Sequence, residues 1–185
     1  MTLPPSPAIE RWAARVRAGG PVLDVAAGGG RHAAWFARRG HRVVAVDRDV
    51  AALRALAEPE VEVVAADLEG GPWPLPGRQF AAVVVVNYLW RPLWPALLAA
   101  VEPGGLLLYE TFAVGNERFG RPRNPDFLLR EGELREVAQQ AGFAVVEYAH
   151  GEEGDPPTCV RQRLCAARPA TASRGCGTSA ASPPP

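Results

Sequence analysis

Lysine is absent from this sequence of 185 residues: all 20 basic residues are arginine, balanced by 20 acidic residues to a formal charge of zero. Chemistry that needs a lysine amine, such as a Schiff base or a phosphate-loop lysine, is therefore excluded. An even charge balance also argues against a broad basic face for nucleic acid. Cysteine is scarce, with 3 residues, Cys159, Cys165 and Cys176, all near the C-terminus and without CxxC spacing. The odd count argues against a disulfide framework, and the scattered histidines at 32, 41 and 150 do not suggest a metal cluster. A reduced, cytoplasmic protein without a metal site is the expectation. The opening Met1-Thr2-Leu3-Pro4-Pro5-Ser6-Pro7 has no basic region followed by an apolar run, so no signal peptide is expected. Long uninterrupted apolar runs are also missing. The most apolar stretch, Ala81 to Val101, is broken by Asn87, Arg91, Pro92 and Pro95, which reads as a buried strand, a loop and a helix rather than a membrane span.

What the sequence has in excess is glycine and proline, 19 of each, without the three-residue period of a collagen. With 48% hydrophobic residues a real core can form, and the length excludes a full two-domain dehydrogenase. Apolar positions at helical spacing (Ala8, Ile9, Trp12, Val16) predict a first helix stopped by Gly19-Gly20. Short valine-rich runs then alternate with helical patterns. Strands are expected at 21–26, 42–46, 61–65, 80–86, 106–109, 143–149 and 158–167. Helices are expected after Gly30, over 50–57, through Leu93, Leu97 and Val101, and over 131–141. Gly70 to Gly77 and Pro103-Gly104-Gly105 read as a loop and a turn. The pattern predicts an α/β fold: a doubly wound, mostly parallel seven-stranded sheet with the last strand antiparallel and helices on both faces. Residues 1–7 are expected to be a flexible lead-in, 8–168 the domain, and 169–185 a disordered tail rich in alanine, serine, glycine and proline.

Gly28-Gly29-Gly30 between a strand and a helix is the sharpest local signal. Such a loop brings a ligand against backbone amides, although glycines alone also serve turns and packing. Three acids give it context. Asp24 ends the first strand ahead of the glycines, where a carboxylate suits a positive amino group and repels a pyrophosphate. Asp47 closes the second strand, where the crossover geometry places a carboxylate beside ribose hydroxyls. Asp67 closes the third, positioned to accept from a base amino group while Leu68 packs on the ring. Each acid alone could be a helix cap or turn residue. As a set at consecutive strand ends, without a lysine, they favour a nucleoside ligand carrying no phosphates.

The run Leu23-Asp24-Val25-Ala26-Ala27-Gly28-Gly29-Gly30-Arg31-His32, followed by Val43-Val44-Ala45-Val46-Asp47, resembles the class I, seven-stranded S-adenosylmethionine-dependent methyltransferases. Within them it is most similar to the small bacterial tellurite-resistance-type enzymes, over residues 8 to 168. The resemblance implies S-adenosylmethionine as cofactor. Asp24, Ala26, Gly28 and Gly30 would wrap its methionine part, Asp47 would take the ribose, Asp67 and Leu68 the adenine, and Asn87 a place near the methyl donor. The family's acidic-x-Gly-x-Gly-x-Gly pattern departs here at its first glycine, which is Ala26. Asn87-Tyr88 does not match the Asn/Asp-Pro-Pro-aromatic motif of amino-group methyltransferases acting on nucleic-acid bases or protein glutamine.

The expected activity is methyl transfer to a small-molecule acceptor by in-line displacement, with the cofactor supplying the reactive group. Tyr88, Tyr109 and Glu110 leave strand ends at the same edge and are the candidate catalytic groups. The irregular segment Phe112 to Leu129 reads as a lid whose Arg118, Arg121, Arg123 and Asn124 meet a polar or anionic acceptor, and His32 could face the same pocket. Two other readings stay open: a nicotinamide-dependent oxidoreductase using Gly28, Gly30 and Ala33, and a non-catalytic cofactor-binding or partner-binding domain.

Overall fold

The computed structural model describes residues 4–56 and 58–171. Seven strands form one sheet: β1 (Val22–Val25), β2 (Val43–Asp47), β3 (Val61–Ala65), β4 (Phe80–Val86), β5 (Val101–Phe112), β6 (Ala144–Glu153) and β7 (Cys159–Ala167). Their order is β3-β2-β1-β4-β5-β7-β6, with β7 antiparallel to both neighbours and the other pairings parallel. This is the predicted doubly wound sheet with an antiparallel last strand.

Valine and alanine alternate between two buried faces, as parallel strands covered on both sides require. Val22, Val43, Ala45, Ala82 and Val84 pack under α1 (Pro7–Ala13), α2 (Arg31–Ala37) and α3 (Ala51–Arg54). Leu23, Val25, Val44, Val83 and Val85 face the other way, against α4 (Trp94–Ala100) and α5 (Glu133–Gln140). Every residue of β4 is buried. The register aligns Val25 with Val46 on one side and with Val85 on the other, so β1, β2 and β4 end level. The strand order reverses between β1 and β4, which opens a crevice at those carboxyl ends.

Three boundaries differ from the sequence reading. Val101 opens β5 rather than closing α4. The turn-like Pro103-Gly104-Gly105 is an irregularity within β5, where pairing moves from Phe80–Val101 to Ala82–Leu106. A side chain at Gly105 would sit 2.9 Å from the carbonyl oxygens of Glu102 and Phe80, so only glycine fits that close approach. β6 runs on to Glu153, so the expected link from Gly151 shortens to a hairpin beginning at Gly154. The lead-in is also packed further forward than expected: Ser6 is buried and Pro7 already begins α1. Of the expected tail, residues 172–185 lie outside the described residues. Among the described residues no helix is long and apolar enough to cross a membrane.

The segment between β5 and α5 forms a cap closed at both ends. Val114 donates its amide to Leu129, and Leu129 donates its amide to Phe112. Arg91 anchors the far side with four hydrogen bonds: two to the Glu133 carboxylate at 2.8 Å, one to the Asp126 carbonyl at 2.7 Å and one to the Leu128 carbonyl at 2.9 Å. Glu133 also accepts from the Arg130 amide and guanidinium. Burial pushes the Glu133 carboxyl up, but these donors outweigh it and hold its pKa at about 2, below the ordinary 4.5. A depressed pKa contributes stability that is complete above pH ~4.5 and fades as pH falls toward 2. Glu133→Gln is expected to lower unfolding free energy at pH 7 by about 3 kcal/mol, since it leaves a guanidinium unpaired. In urea melts, the gap from the parent should narrow steadily between pH 4.5 and the acid limit; a gap independent of pH would contradict the assignment.

Candidate active site

The crevice at the strand reversal holds two cavities that meet at Ala26. The larger, about 700 Å3, is lined by Asp24, Ala26, Gly28, His32, Val86 and Asn87 among others. The smaller, about 270 Å3, is lined by Ala26, Asp47, Arg48, Asp67, Leu68 and Tyr88 among others.

The glycine loop owes its shape to left-handed residues: Ala26 (φ 52°), Gly28 (φ 56°) and Gly30 (φ 72°). At Gly30 a Cβ would lie 2.4 Å from Leu56 Cδ1 and 2.7 Å from Leu53 Cδ2, so a side chain there would displace both leucines in addition to occupying a left-handed backbone. Gly28 and Gly29 have open space where a side chain would stand, leaving backbone exposed to the cavity. Ala26 has no such freedom. An L-residue with a Cβ in this region is strained by roughly 1 kcal/mol.

Carboxylates hold the loop from behind. Asp24, 1% exposed, accepts the Ala33 amide of α2 at 3.0 Å. Burial raises its pKa from 3.8 to about 7, against the opposing pull of that amide and of Arg31. Asp47 accepts the Gly28 amide at 2.8 Å and the Asp49 amide at 3.0 Å, tying the ends of β1 and β2 together. Asp67 accepts the Glu69 amide at 3.0 Å, and the Glu69 and Gly70 amides hold its carboxyl below the usual range.

The predicted catalytic and substrate-binding residues are placed differently. Tyr109 is fully buried and donates its hydroxyl to the Tyr88 carbonyl at 2.9 Å, so it is a core group and not a base. Glu110 is buried as well. It accepts from the Ser6 hydroxyl at 2.6 Å, Arg163 at 3.0 Å and Arg161 at 3.3 Å, so both carboxylate oxygens are already engaged. Register explains the cluster: Glu110 lies opposite Arg163, and Phe112 opposite Arg161, on one face of the β5–β7 pair. Tyr88 reaches the smaller cavity, and its hydroxyl is buried without a partner among the described residues. Burial, reinforced by Glu69, Asp67 and Asp47, raises its pKa and keeps it protonated. His32 lines the larger cavity; its Nε2 accepts the Ser6 amide at 3.2 Å, and burial lowers its pKa to about 4, so the ring is neutral. In the cap, Arg118 pairs with Glu152 at 2.8 Å. Arg121, Arg123 and Asn124 line a separate outer concavity, where Asn124 caps Asp126. Among the described residues no group of three or more potential metal ligands occurs.

Sequence reading missed Arg48 and Glu69 on the smaller cavity, and Ser6, Arg161 and Arg163 behind the larger one. The i, i+2 spacing of the two arginines on a strand was the available signal, since it places both guanidiniums on one face.

A family model described as a methyltransferase domain matches residues 22–105, from β1 into β5. The chain has the class I methyltransferase fold. No curated protein matches. Among solved structures, the Burkholderia thailandensis 1,6-didemethyltoxoflavin-N1-methyltransferase, solved with bound 1,6-didemethyltoxoflavin and S-adenosylhomocysteine, superposes with a TM-score of 0.62 at 22% identity, over 88% of this chain and 77% of that one. TehB from Haemophilus influenzae gives 0.67 at 19% identity, over 84% of this chain but only 60% of its own. The [4+2]-cyclase SpnF gives 0.65 at 17% identity, over 87% of this chain and 79% of that one.

Two variants test the loop. Asp24→Asn removes a buried charge, so it should stabilise the free protein at pH 8 by on the order of 3 kcal/mol. Because a raised carboxylate pKa makes stability fall as pH rises from about 4 to about 7, that advantage should vanish near pH 4 in thermal melts. Ala26→Gly should raise the melting temperature slightly, relief of strain exceeding the added unfolded-state entropy; a lower melting temperature would deny strain at this position.

Proposed function

We propose that this protein transfers a methyl group from S-adenosylmethionine to a small-molecule acceptor by in-line displacement. The observation that carries the reading is the use of the amides of the loop and of the first turn of α2. Ala33 gives its amide to Asp24 and Gly28 gives its amide to Asp47. A dinucleotide's pyrophosphate would need those donors and would meet two carboxylates instead. An amino acid joined to a nucleoside fits the same surface: Asp24 suits an ammonium, Asp47 a pair of hydroxyls, and Asp67 with Leu68 an adenine edge and face. The shared wall at Ala26 lets one ligand span both cavities.

When bound, the cofactor supplies a methyl group already activated by its sulfonium. The chain's part is to bind, orient and exclude water. Asp24 would hold the amino group, the open backbone at Gly28 and Gly29 would allow close approach, and Tyr88 and Asn87 would stand where the two cavities reach the acceptor side. Tyr88 stays protonated, and Tyr109 and Glu110 are engaged with partners of their own, so none of the three serves as the base.

Calorimetry with S-adenosylhomocysteine tests the reading. Affinity should strengthen as pH rises through about 7, because ionised Asp24 is the form that pairs with an ammonium. That pH dependence should flatten in Asp24→Asn. Asp47→Ala should weaken binding at least ~10-fold, through loss of charge-assisted hydrogen bonds. Thermal stabilisation by NAD alone would instead favour the oxidoreductase, and binding without methyl release on any acceptor would favour a non-methylating use of the fold.

A further inference from the structure

A third cavity, about 180 Å3, lies between the end of β4 and the cap. Tyr88, Leu89, Phe112, Pro122 and Phe127 form most of its wall. It shares Asn87 with the larger cofactor cavity, and Tyr88 and Glu69 with the smaller, so it opens on both where they face the acceptor side.

Its charge pattern differs from the sequence expectation. Glu69 is the charged residue on its wall. Three guanidiniums of the neighbourhood are already paired: Arg91 with Glu133, Arg118 with Glu152, and Arg161 with Glu110; Arg48 lies on the smaller cavity and not on this wall. Arg121 and Arg123 line the outer concavity, which meets this recess across Pro122 and Phe127. An anion entering the recess would lose hydration with no cation on the wall to replace it.

Asn87 supplies the directional group. It follows β4 in a left-handed conformation (φ 59°), and its Oδ1 accepts from Arg161 Nη1 at 2.5 Å. Because a guanidinium only donates, the amide oxygen must face Arg161, and the Nδ2 hydrogens remain for an occupant at the junction. Arg161 is held in turn by Glu110 and stacks over Phe112 at 4.0 Å.

We propose that this recess binds a small, uncharged single-ring acceptor bearing a hydroxyl, with the Asn87 amide donating to the hydroxyl oxygen and Arg161 as the positioning residue that aims the amide. The assignment rests on the methyl-transfer reading. The acceptor oxygen forms a bond to the methyl carbon as the carbon–sulfur bond breaks. The electron pair of that bond goes to sulfur, leaving a neutral thioether, and the hydroxyl proton goes to water at the open mouth of the recess. The amide stabilises the negative charge that grows on oxygen as the proton departs.

The test uses the full chain and begins with calorimetry of S-adenosylhomocysteine. Turnover of S-adenosylmethionine is then measured with phenol and catechol against benzoate and tellurite, with the methylated product identified by mass spectrometry. Methyl ethers of the phenols are expected, with benzoate and tellurite inactive. Asn87→Gly keeps the left-handed backbone and removes the donor. It should lower kcat/KM for catechol about 10-fold, the weight of one lost hydrogen bond to a developing charge. Arg161→Gln should lower kcat/KM by the same factor if it acts through Asn87. Phe127→Ala, outside the core, should raise KM for catechol without changing the melting temperature. Binding of S-adenosylhomocysteine with turnover of benzoate or tellurite only, or with no turnover of either phenol, overturns the acceptor assignment and leaves the cofactor reading standing. No binding of S-adenosylhomocysteine overturns both.

Discussion

The burial of Asp24 is the constraint around which the crevice is organised. Its carboxylate stands at the end of a four-residue strand with no exposed neighbours and is compensated by a single amide, that of Ala33. One hydrogen bond does not replace a hydration shell, so the group is held in an unfavourable state that a cationic ligand would relieve. The same bond fixes α2 to β1 and so sets the path of the glycine loop between them. Stability and ligand preference are opposed at this atom. The free protein gains by neutralising Asp24, while a bound ammonium gains by its ionisation.

Behind the loop, polar interactions are satisfied to a degree that removes them from chemistry. Glu110 accepts from a serine and two arginines, and Glu153 receives Arg163 at 2.6 Å. The antiparallel pairing of β5 with β7 places Glu110 opposite Arg163, and that of β6 with β7 brings Glu153 alongside, so the geometry follows from strand register. What the cluster passes to the crevice is orientation, through the bond from Arg161 to Asn87. An arginine-only complement suits this, since each guanidinium can meet a carboxylate and a second acceptor together.

The sheet was legible in the sequence because each strand is a short valine-rich run bounded by glycine, proline or aspartate, and the strand-end acids followed from that placement. Asp24, Asp47 and Asp67 line the crevice because local sequence alone carries each to the end of its strand. Glu110 looked like a base for the same reason, and its actual role was hidden by distance along the chain. Its partners lie 51, 53 and 104 residues away, beyond the reach of any spacing argument. The cap arginines were misplaced in a related way. Composition marks a segment as irregular and charged, but which side of Pro122 and Phe127 a guanidinium occupies depends on how the cap closes. Pro103-Gly104-Gly105 shows the remaining limit: the same residues that make a turn also make a bulge when a neighbouring strand is present to pair on both sides.

The fourfold grip of Arg91 also bears on rates. A rim already fixed by two backbone carbonyls and a carboxylate has few conformations left to search when a ligand arrives. Its loss of entropy falls in folding, not in association. Under the methyl-transfer reading proposed above, an acceptor would enter through a standing aperture, and discrimination among acceptors would rest on the dimensions of that aperture more than on any motion of it.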